Sequence, residues 1–386
     1  MLIYNNMRDT STKFGEFLNT QKDIIDNNTV FLRFKSQISQ NARKTTIYIK
    51  RYGVRVIIVF MIIIVFIIYF LVFFKRVPKF LDRMDYYYKN LSKITSIRNN
   101  KTIMNGAYKL CDFYVASSYK SYLPCTNYID YASIDAIKKT LSYGARYIDL
   151  DVMNKSFSSC PKLVICNGVE VGNWHLTTSI DFEETIKVIS EYAFSNVINN
   201  NSDPLFVNIN LKTWYNKDSY EVCAEILNKY FKHKYLPLEY GFKGRHSGVD
   251  ISQTNIKNLL NKVIIVCNND VTDTAMDEIV NMGSGVNGNV REVTNSDIEE
   301  CPDIYEYRDF NKNYLSVVKP DFKGKYKQNF NYLSPYYLGC QFICMNYTEP
   351  DKWMKSYINT FGSYSFVLKP YKLREKYNEI KTPLKK

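Results

Sequence analysis

With 386 residues the chain has room for one large domain with appendages or for two ordinary domains. Its formal charge of +13 favours anionic partners such as phospholipid headgroups. The excess is diluted in a chain rich in Lys, Asn, Ile and Tyr, and no basic run is interleaved with a nucleic-acid motif, which argues against a nucleic-acid-binding class. Nine cysteines without a Cys-x-x-Cys pair exclude a zinc-ribbon type of site; being odd in number they cannot all pair within one chain, and they read as buried thiols in a reducing compartment rather than as a disulfide framework.

In chain order, residues 1–53 are polar and read as a mostly disordered tail with one apolar patch at Val30, Phe31 and Leu32. From Val56 to Phe74 nineteen consecutive residues carry no charge, almost all of them Ile, Val, Phe, Leu or Met. At 1.5 Å per residue this run spans about 28 Å, close to the thickness of a bilayer's hydrocarbon core, and it shows no polar face at helical spacing. The spacing predicts a transmembrane helix over 54–75. It starts too far from the first residue for a cleaved leader, so the expected state is a permanent single-pass anchor. Basic residues flank it on both sides (Arg43, Lys44, Lys50, Arg51, Arg55 against Lys75, Arg76, Lys79, Arg83, Lys89, Lys93), and their balance leaves the orientation open. Residues 76–107 read as a juxtamembrane stalk, with Tyr86, Tyr87 and Tyr88 placed either in the headgroup layer or in a solvated linker.

Beyond Tyr108 the apolar period switches repeatedly between 2 and 3.6, as a barrel of parallel strands with outer helices requires. Ile134, Ile137 and Leu141 share a helical face that Gly144 terminates. Ala145 to Val152 reads as a strand on which Tyr147, Asp149 and Asp151 point the same way. Asp181 and Glu184 read as a helix start, Leu205 to Leu211 as a strand that aligns Asn208 with Asn210, and Val263 to Val266 as a fully buried strand. The stretch from about Thr272 to Asp309, with Gly283, Gly285 and Gly288, reads as a surface insertion, since those glycines lack the spacing of a phosphate-binding loop. Strands are expected again at Tyr314 to Val318, Gln341 to Asn346 and Ser363 to Lys369.

Five motifs carry a resemblance. The run Ser117-Ser118-Tyr119-Lys120-Ser121-Tyr122-Leu123 resembles the Ser-Ser-His-Asn-Thr-Tyr-Leu of the eukaryotic phosphoinositide-specific phospholipase C family. Gly144 to Asp151 resembles its Gly-Cys-Arg-x-x-Glu-Leu-Asp, and Val164 to Gly168, followed by Thr178-Ser179, resembles the strand that carries its second catalytic His. Gly339 to Asn346 resembles Gly-Cys-Gln-x-x-x-x-Asn, and Phe366 to Pro370 resembles the Tyr-Val-Leu-Lys-Pro that ends the barrel. The resemblance implies an α/β fold, a (β/α)8 TIM-type barrel split into an X-like half at 108–270 and a Y-like half at 309–375. An acidic and polar linker at 271–308 would join them, and a basic tail at 376–386 would follow.

The resemblance also implies which chemistry is missing. The family uses two histidines in proton transfer and charge stabilisation beside a calcium ion held by carboxylates and an Asn. Tyr119 and Asn167 stand at the two His positions, and neither side chain is a good general base at pH 7. Lys120 stands at the position of the Asn ligand, Asp149 replaces a Glu, Asp151 is retained, and Asn210 replaces the last Glu. Calcium wants six to eight oxygens, several anionic, so no metal is expected here; Lys120 is expected instead to neutralise Asp149 and Asp151. In Leu315-Ser316-Val317-Val318-Lys319-Pro320, which resembles Leu-Ser-Arg-x-Tyr-Pro, Val317 replaces the phosphate-binding Arg, leaving Ser316 and Lys319 as candidate phosphate contacts. His175, eight residues beyond Asn167, is a candidate rescue histidine; His233 and His246 lie beyond the motif strands.

The reading is therefore a single-pass membrane protein with a catalytically degenerate phospholipase C-like barrel, a pseudoenzyme that binds lipid or protein, with the barrel on the cytosolic side. The alternatives are an active phosphodiesterase with a rearranged, calcium-using site, and a structural membrane protein with a vestigial pocket.

Overall fold

The computed structural model describes residues 12–22, 29–74, 76–89, 94–124, 131–155, 161–167, 178–213, 216–241, 248–283, 290–321 and 329–374. The chain divides into two compact units, Met1–Lys75 and Arg76–Lys386. In the first unit a single helix runs from Thr29 to Phe74. Much of the segment read as a disordered tail is thus helical, because Lys, Arg and Gln favour helix as much as they favour solvent and no proline interrupts them. The described side chains of the apolar run, residues 57–71, are all exposed. Among the described residues no helix is long and apolar enough to cross a membrane; residues 57–71 alone span about 22 Å at 1.5 Å per residue.

The second unit contains strands β1 Phe113–Ser118, β2 Tyr147–Asn154, β3 Leu163–Cys166, β4 Ser179–Asp181, β5 Leu205–Leu211, β6 Val263–Val266, β7 Val280–Met282, β8 Val290–Thr294, β9 Leu315–Lys319, β10 Phe342–Met345 and β11 Phe366–Leu368. Eight of them follow one another in the order β7-β6-β5-β2-β1-β10-β9-β8, and every adjacent pair is parallel. The sheet therefore curls into a nearly closed barrel whose two free edges are β7 and β8. The hairpin β3-β4 extends β2 antiparallel, and β11 runs antiparallel along the foot of β1. Helices Ile134–Ser142, Phe182–Tyr192, Lys217–Phe231, Ile304–Asn313 and Lys352–Phe361 supply crossovers.

Alternation along the strands fills the barrel. Phe113, Val115, Tyr147, Phe206, Leu315, Val317 and Phe342 form one buried cluster, with the Phe206 and Phe342 rings 4.9 Å apart. Two further clusters pack the helices onto the outside. The helix Ile134–Ser142 is capped by Ser133, whose side chain accepts from the Ala136 N–H. It stops at Gly144, where φ is +95° and a Cβ would fall 2.4 Å from Ile94 Cδ1. Asp181 caps the next helix by accepting from the Glu184 N–H at 3.0 Å.

Two boundaries read from sequence move. Residues 76–107 are not a stalk: they belong to the barrel unit, and the helix Arg76–Tyr88 buries Leu81, Met84 and Tyr88, spaced three and four apart on one face. Tyr88, read as lying either in the headgroup layer or in a solvated linker, is instead buried and donates to the Tyr347 carbonyl at 2.7 Å. Arg83 pairs with Glu349 at 2.9 Å, and Asp85 accepts from Lys139 and Tyr143. Farther along, Ile97 and Ile103 join the cluster inside the barrel. The segment 271–308, read as a linker, contains β7, β8 and the helix Asn295–Glu299. These strands are three and five residues long and carry Asn281, Arg291, Glu292 and Thr294 among few apolar residues, so their composition hides two staves of the barrel.

Candidate functional site

Parallel barrels present the C-terminal ends of their strands as one rim, and polar side chains converge there. Below the rim the lumen is apolar; at it, each inward position turns polar. Register pairs Asp149 with Asn208 and Asp151 with Asn210 across β2 and β5, and the same alternation carries the inward face of β5 on to Lys212. Glu292 enters from β8 and Lys319 from the end of β9. Tyr119 and Lys120 follow β1; the Tyr119 N–H continues the ladder by donating to the Met345 carbonyl at 2.9 Å.

Each oxygen of the two aspartates already has a donor. Asp149 Oδ1 accepts from Asn208 at 2.6 Å and Asn210 at 2.9 Å, with the Lys319 ammonium at 3.5 Å; its Oδ2 accepts from the Lys120 backbone N–H at 3.1 Å. Asp151 Oδ1 accepts from Asn210 at 3.1 Å, and its Oδ2 takes Lys212 at 2.9 Å, the Tyr122 hydroxyl at 3.0 Å and the Lys120 ammonium at 3.5 Å. Lys319 also lies 3.0 Å from Glu292 and 3.4 Å from Asn210 Oδ1, and Glu292 accepts from Asn268. Three ammonium groups thus face three carboxylates, and the mouth is close to electrically neutral.

Lys120 holds this position on a left-handed backbone, with φ +41°, a conformation an Asn tolerates better than a Lys. Its ammonium donates to Asn167 Oδ1 at 2.6 Å. Burial lowers the Lys120 pKa, and the attraction of Asp151 only partly opposes that. Burial likewise pushes the Asp151 carboxyl up, but Lys212 and Lys120 outweigh it and hold it below the usual carboxylate range. For Lys319 burial works against the charge, yet Asp149 and Glu292 together raise its pKa well above the ordinary lysine value. The Tyr119 phenol is driven far up by burial and then by Asp149 and Asp151, so it holds its proton at any physiological pH.

The structure brings Tyr119, Lys120, Asp149, Asp151, Asn167, Asn210 and Lys319 together, and adds Lys212 and Glu292, which the sequence reading missed. The signal for Lys212 was present, since it continues the period-2 series of Asn208 and Asn210. Glu292 was hidden by the linker reading. Ser316 does not join them: it faces outward and is fully buried, its hydroxyl donating to Asn311 Oδ1 at 2.6 Å. Lys319, the other candidate phosphate contact, is engaged by carboxylates. His175 and His246 lie outside the described residues, and His233 is exposed in the turn Lys232–Lys234, away from the rim.

Calcium binds through six to eight oxygens at 2.3–2.6 Å. Here the carboxylate oxygens are covered by N–H, O–H and ammonium groups, and cations stand against them, so the donor set does not fit that ion. Among the described residues no group of three His, Cys, Asp or Glu side chains is arranged to hold a metal.

Residues 107–268 match the family profile described as phosphatidylinositol-specific phospholipase C, X domain. Among solved structures the chain is similar to the S. officinalis PLC21 (TM-score 0.59, 17% identity, 70% of this chain and 38% of that one). The L. pealei PLC21 gives 0.59, 16%, 70% and 38%. A calcium-dependent phosphoinositol-specific phospholipase C from Pseudomonas sp. gives a TM-score of 0.46 at 10% identity, over 68% of this chain and 95% of that one. The chain spans well under half of the two PLC21 structures. No curated protein matches it. The domain is phospholipase C-like in fold.

Proposed function

We propose that this phospholipase C-like barrel carries out no calcium-dependent hydrolysis and serves as a membrane-held binding or scaffolding module. The observation that carries the reading is the mouth itself, where lysine ammonium groups stand against the carboxylates and neither Tyr119 nor Asn167 can accept a proton at neutral pH. General acid–base groups contribute about 10²- to 10⁴-fold each, so losing both together with the metal leaves negligible turnover. The apolar run Val56 to Phe74 supplies the proposed anchor to the bilayer. Among the described residues, buried thiols at Cys223, Cys267, Cys340 and Cys344 favour the cytosolic side for the barrel.

The test is release of inositol phosphates from vesicles of phosphatidylinositol and its phosphates by the detergent-solubilised full chain, with and without calcium. The expected result is no release above the blank. Calcium-dependent turnover abolished by His175→Ala would establish a rearranged active site and end the proposal. Carbonate extraction of membranes tests the anchor separately: the full chain is expected in the pellet, and recovery in the supernatant removes the membrane from the reading.

A further inference from the structure

The helix Arg76–Tyr88 packs its apolar row on the barrel, and its opposite row is basic and aromatic. With Leu81, Met84 and Tyr88 turned inward, the positions Lys79, Asp82, Arg83 and Tyr86, spaced three and four apart, face outward. Tyr86 is 71% exposed and Tyr87 42%, and their rings meet edge to face at 5.4 Å. The Lys89 ammonium lies 5.9 Å from the Tyr86 ring, and the Arg83 guanidinium and Lys355 ammonium lie 5.8 and 5.0 Å from the Tyr87 ring. Lys355 belongs to the helix Lys352–Phe361, where Lys352 covers the half-buried Trp353 at 4.6 Å. Two neighbouring helices thus build one face of interleaved rings and cations. Most carboxylates around it are engaged: Glu349 accepts from Arg83, Asp85 from Lys139 and Tyr143, and Asp351 from the N–H groups of Asn329 and Met354, while Asp82 is exposed.

Amphipathic rings beside cations suit a headgroup layer, where the ring sits against glycerol and acyl carbons and the cation meets phosphate. The chain also enters this helix straight from the apolar run, with only Lys75 between Phe74 and Arg76. Tyr86 lies ten residues into the helix, about 15 Å along its axis from Arg76, whereas the headgroup region is only about 5–8 Å deep on each side of a bilayer. A helix standing along the bilayer normal would carry Tyr86 and Tyr87 past that layer; a helix lying in the bilayer plane keeps them within it. We propose that this face docks on anionic phospholipid headgroups with the helix Arg76–Tyr88 in the plane of the bilayer, so that the barrel lies side-on to the membrane. The proposal rests on the membrane-held reading and gives it a second contact. Each lysine held at an anionic surface strengthens binding by about fivefold, and salt weakens the effect.

The test is amine labelling of the full chain, read lysine by lysine by mass spectrometry, in nanodiscs of phosphatidylcholine alone and of phosphatidylcholine with about 30% phosphatidylglycerol. Lys79, Lys352 and Lys355 are expected to label at least about threefold more slowly in the anionic discs, and high salt should erase the difference. Lys232, at the end of Lys217–Phe231, and Lys257, in Ile256–Leu259, are also exposed and should label equally in both. Tyr86→Ser/Lys352→Gln should halve the protection of Lys79 and Lys355 and leave thermal unfolding in detergent unchanged, since both side chains are exposed. Full protection in the folded variant overturns the assignment to this face; should the variant fail to fold, the wild-type comparison decides alone. Equal labelling in the two discs, in a chain that carbonate extraction leaves in the pellet, overturns the proposal and leaves the anchor standing. A chain found in the carbonate supernatant overturns both.

Discussion

Lys120→Met tests whether the ion pairs of the mouth hold it together. The substitution keeps the length of the side chain and removes its charge, leaving Asn167 Oδ1 without the 2.6 Å donor and Asp151 without the 3.5 Å ammonium. Stripping a buried charge of its only partner typically costs about 3–5 kcal/mol. Asp151 retains Lys212 at 2.9 Å and the Tyr122 hydroxyl at 3.0 Å, so the loss is closer to that of one hydrogen bond to a charged group, about 2 kcal/mol. With an unfolding entropy of about 2.1 cal/mol/K per residue, this lowers the midpoint of a unit of roughly 300 residues by about 3 °C. Lys120→Asn should fall less, since an amide side chain relieves the left-handed backbone at φ +41°. The Asp151 pKa is held below its unfolded value, so its contribution is present above about pH 3.9 and is lost as pH falls through the folded value. The deficit of Lys120→Met should accordingly be full at pH 7 and shrink below about pH 4, read by thermal unfolding across pH. A Lys120→Met midpoint equal to wild type at pH 7 would refute the ion-pair account of the mouth.

Asp203, buried with Oδ2 unpartnered among the described residues, has its pKa raised to about 6 by burial against the lowering pull of Arg146. A raised carboxyl favours folding at low pH and is lost as pH rises through about 6, so Asp203→Asn should gain roughly 1–3 kcal/mol at pH 7.5 and little at pH 4 by denaturant titration. Lys369 is fully buried, which lowers its pKa to about 7 near Cys111, Cys340 and Asp112, and its ammonium donates to the Asn311 carbonyl, which also accepts from Gln341. A depressed lysine contributes most above about pH 10.4 and loses that contribution as pH falls toward 7; Lys369→Met should therefore exceed wild type by roughly 2 kcal/mol at pH 7, the gap closing by pH 10. Met84→Ala, at a fully buried site of the helix Arg76–Tyr88, should cost about 2–5 kcal/mol. A chain beginning at Arg76 should fold, whereas one beginning at Tyr108, which lacks Ile97 and Ile103, should be markedly less stable in urea.

Most of the barrel was legible because a buried parallel strand must be apolar on both faces, and Val263–Val266 and Phe342–Met345 meet that demand, while Leu205–Leu211 is apolar apart from Asn208 and Asn210 at the mouth. The two staves that escaped, Val280–Met282 and Val290–Thr294, are edge strands of only three and five residues, broken by Asn281 and by Arg291 and Glu292, and no local period betrays them. The helix Arg76–Tyr88 escaped for a different reason. Its polar face is longer than its apolar one, and only the i, i+3, i+7 spacing of Leu81, Met84 and Tyr88 announces that it docks. In the mouth, motif positions led to Tyr119, Lys120, Asp149, Asp151, Asn167 and Asn210, but pairing across strands depends on register. The chain cannot reveal that Lys319 and Glu292, 27 residues apart in sequence, meet at 3.0 Å.

The replacements in the mouth are also coherent as a set. By the resemblance, Lys120 in place of an Asn adds one positive charge and Asn210 in place of a Glu removes one negative charge, a change of +2 that equals the charge of one calcium ion. Val317 in place of an Arg removes a positive charge from β9, and Lys319, two residues on along the same strand face, supplies one. Substitutions unrelated to one another would leave a buried carboxylate exposed to full desolvation, at several kcal/mol per ion. Here each aspartate oxygen has a donor and each ammonium a carboxylate partner, which is the electrostatic condition for a barrel that stays folded at its mouth without a metal. That balance of charges is what supports the proposed binding or scaffolding role over calcium-dependent hydrolysis.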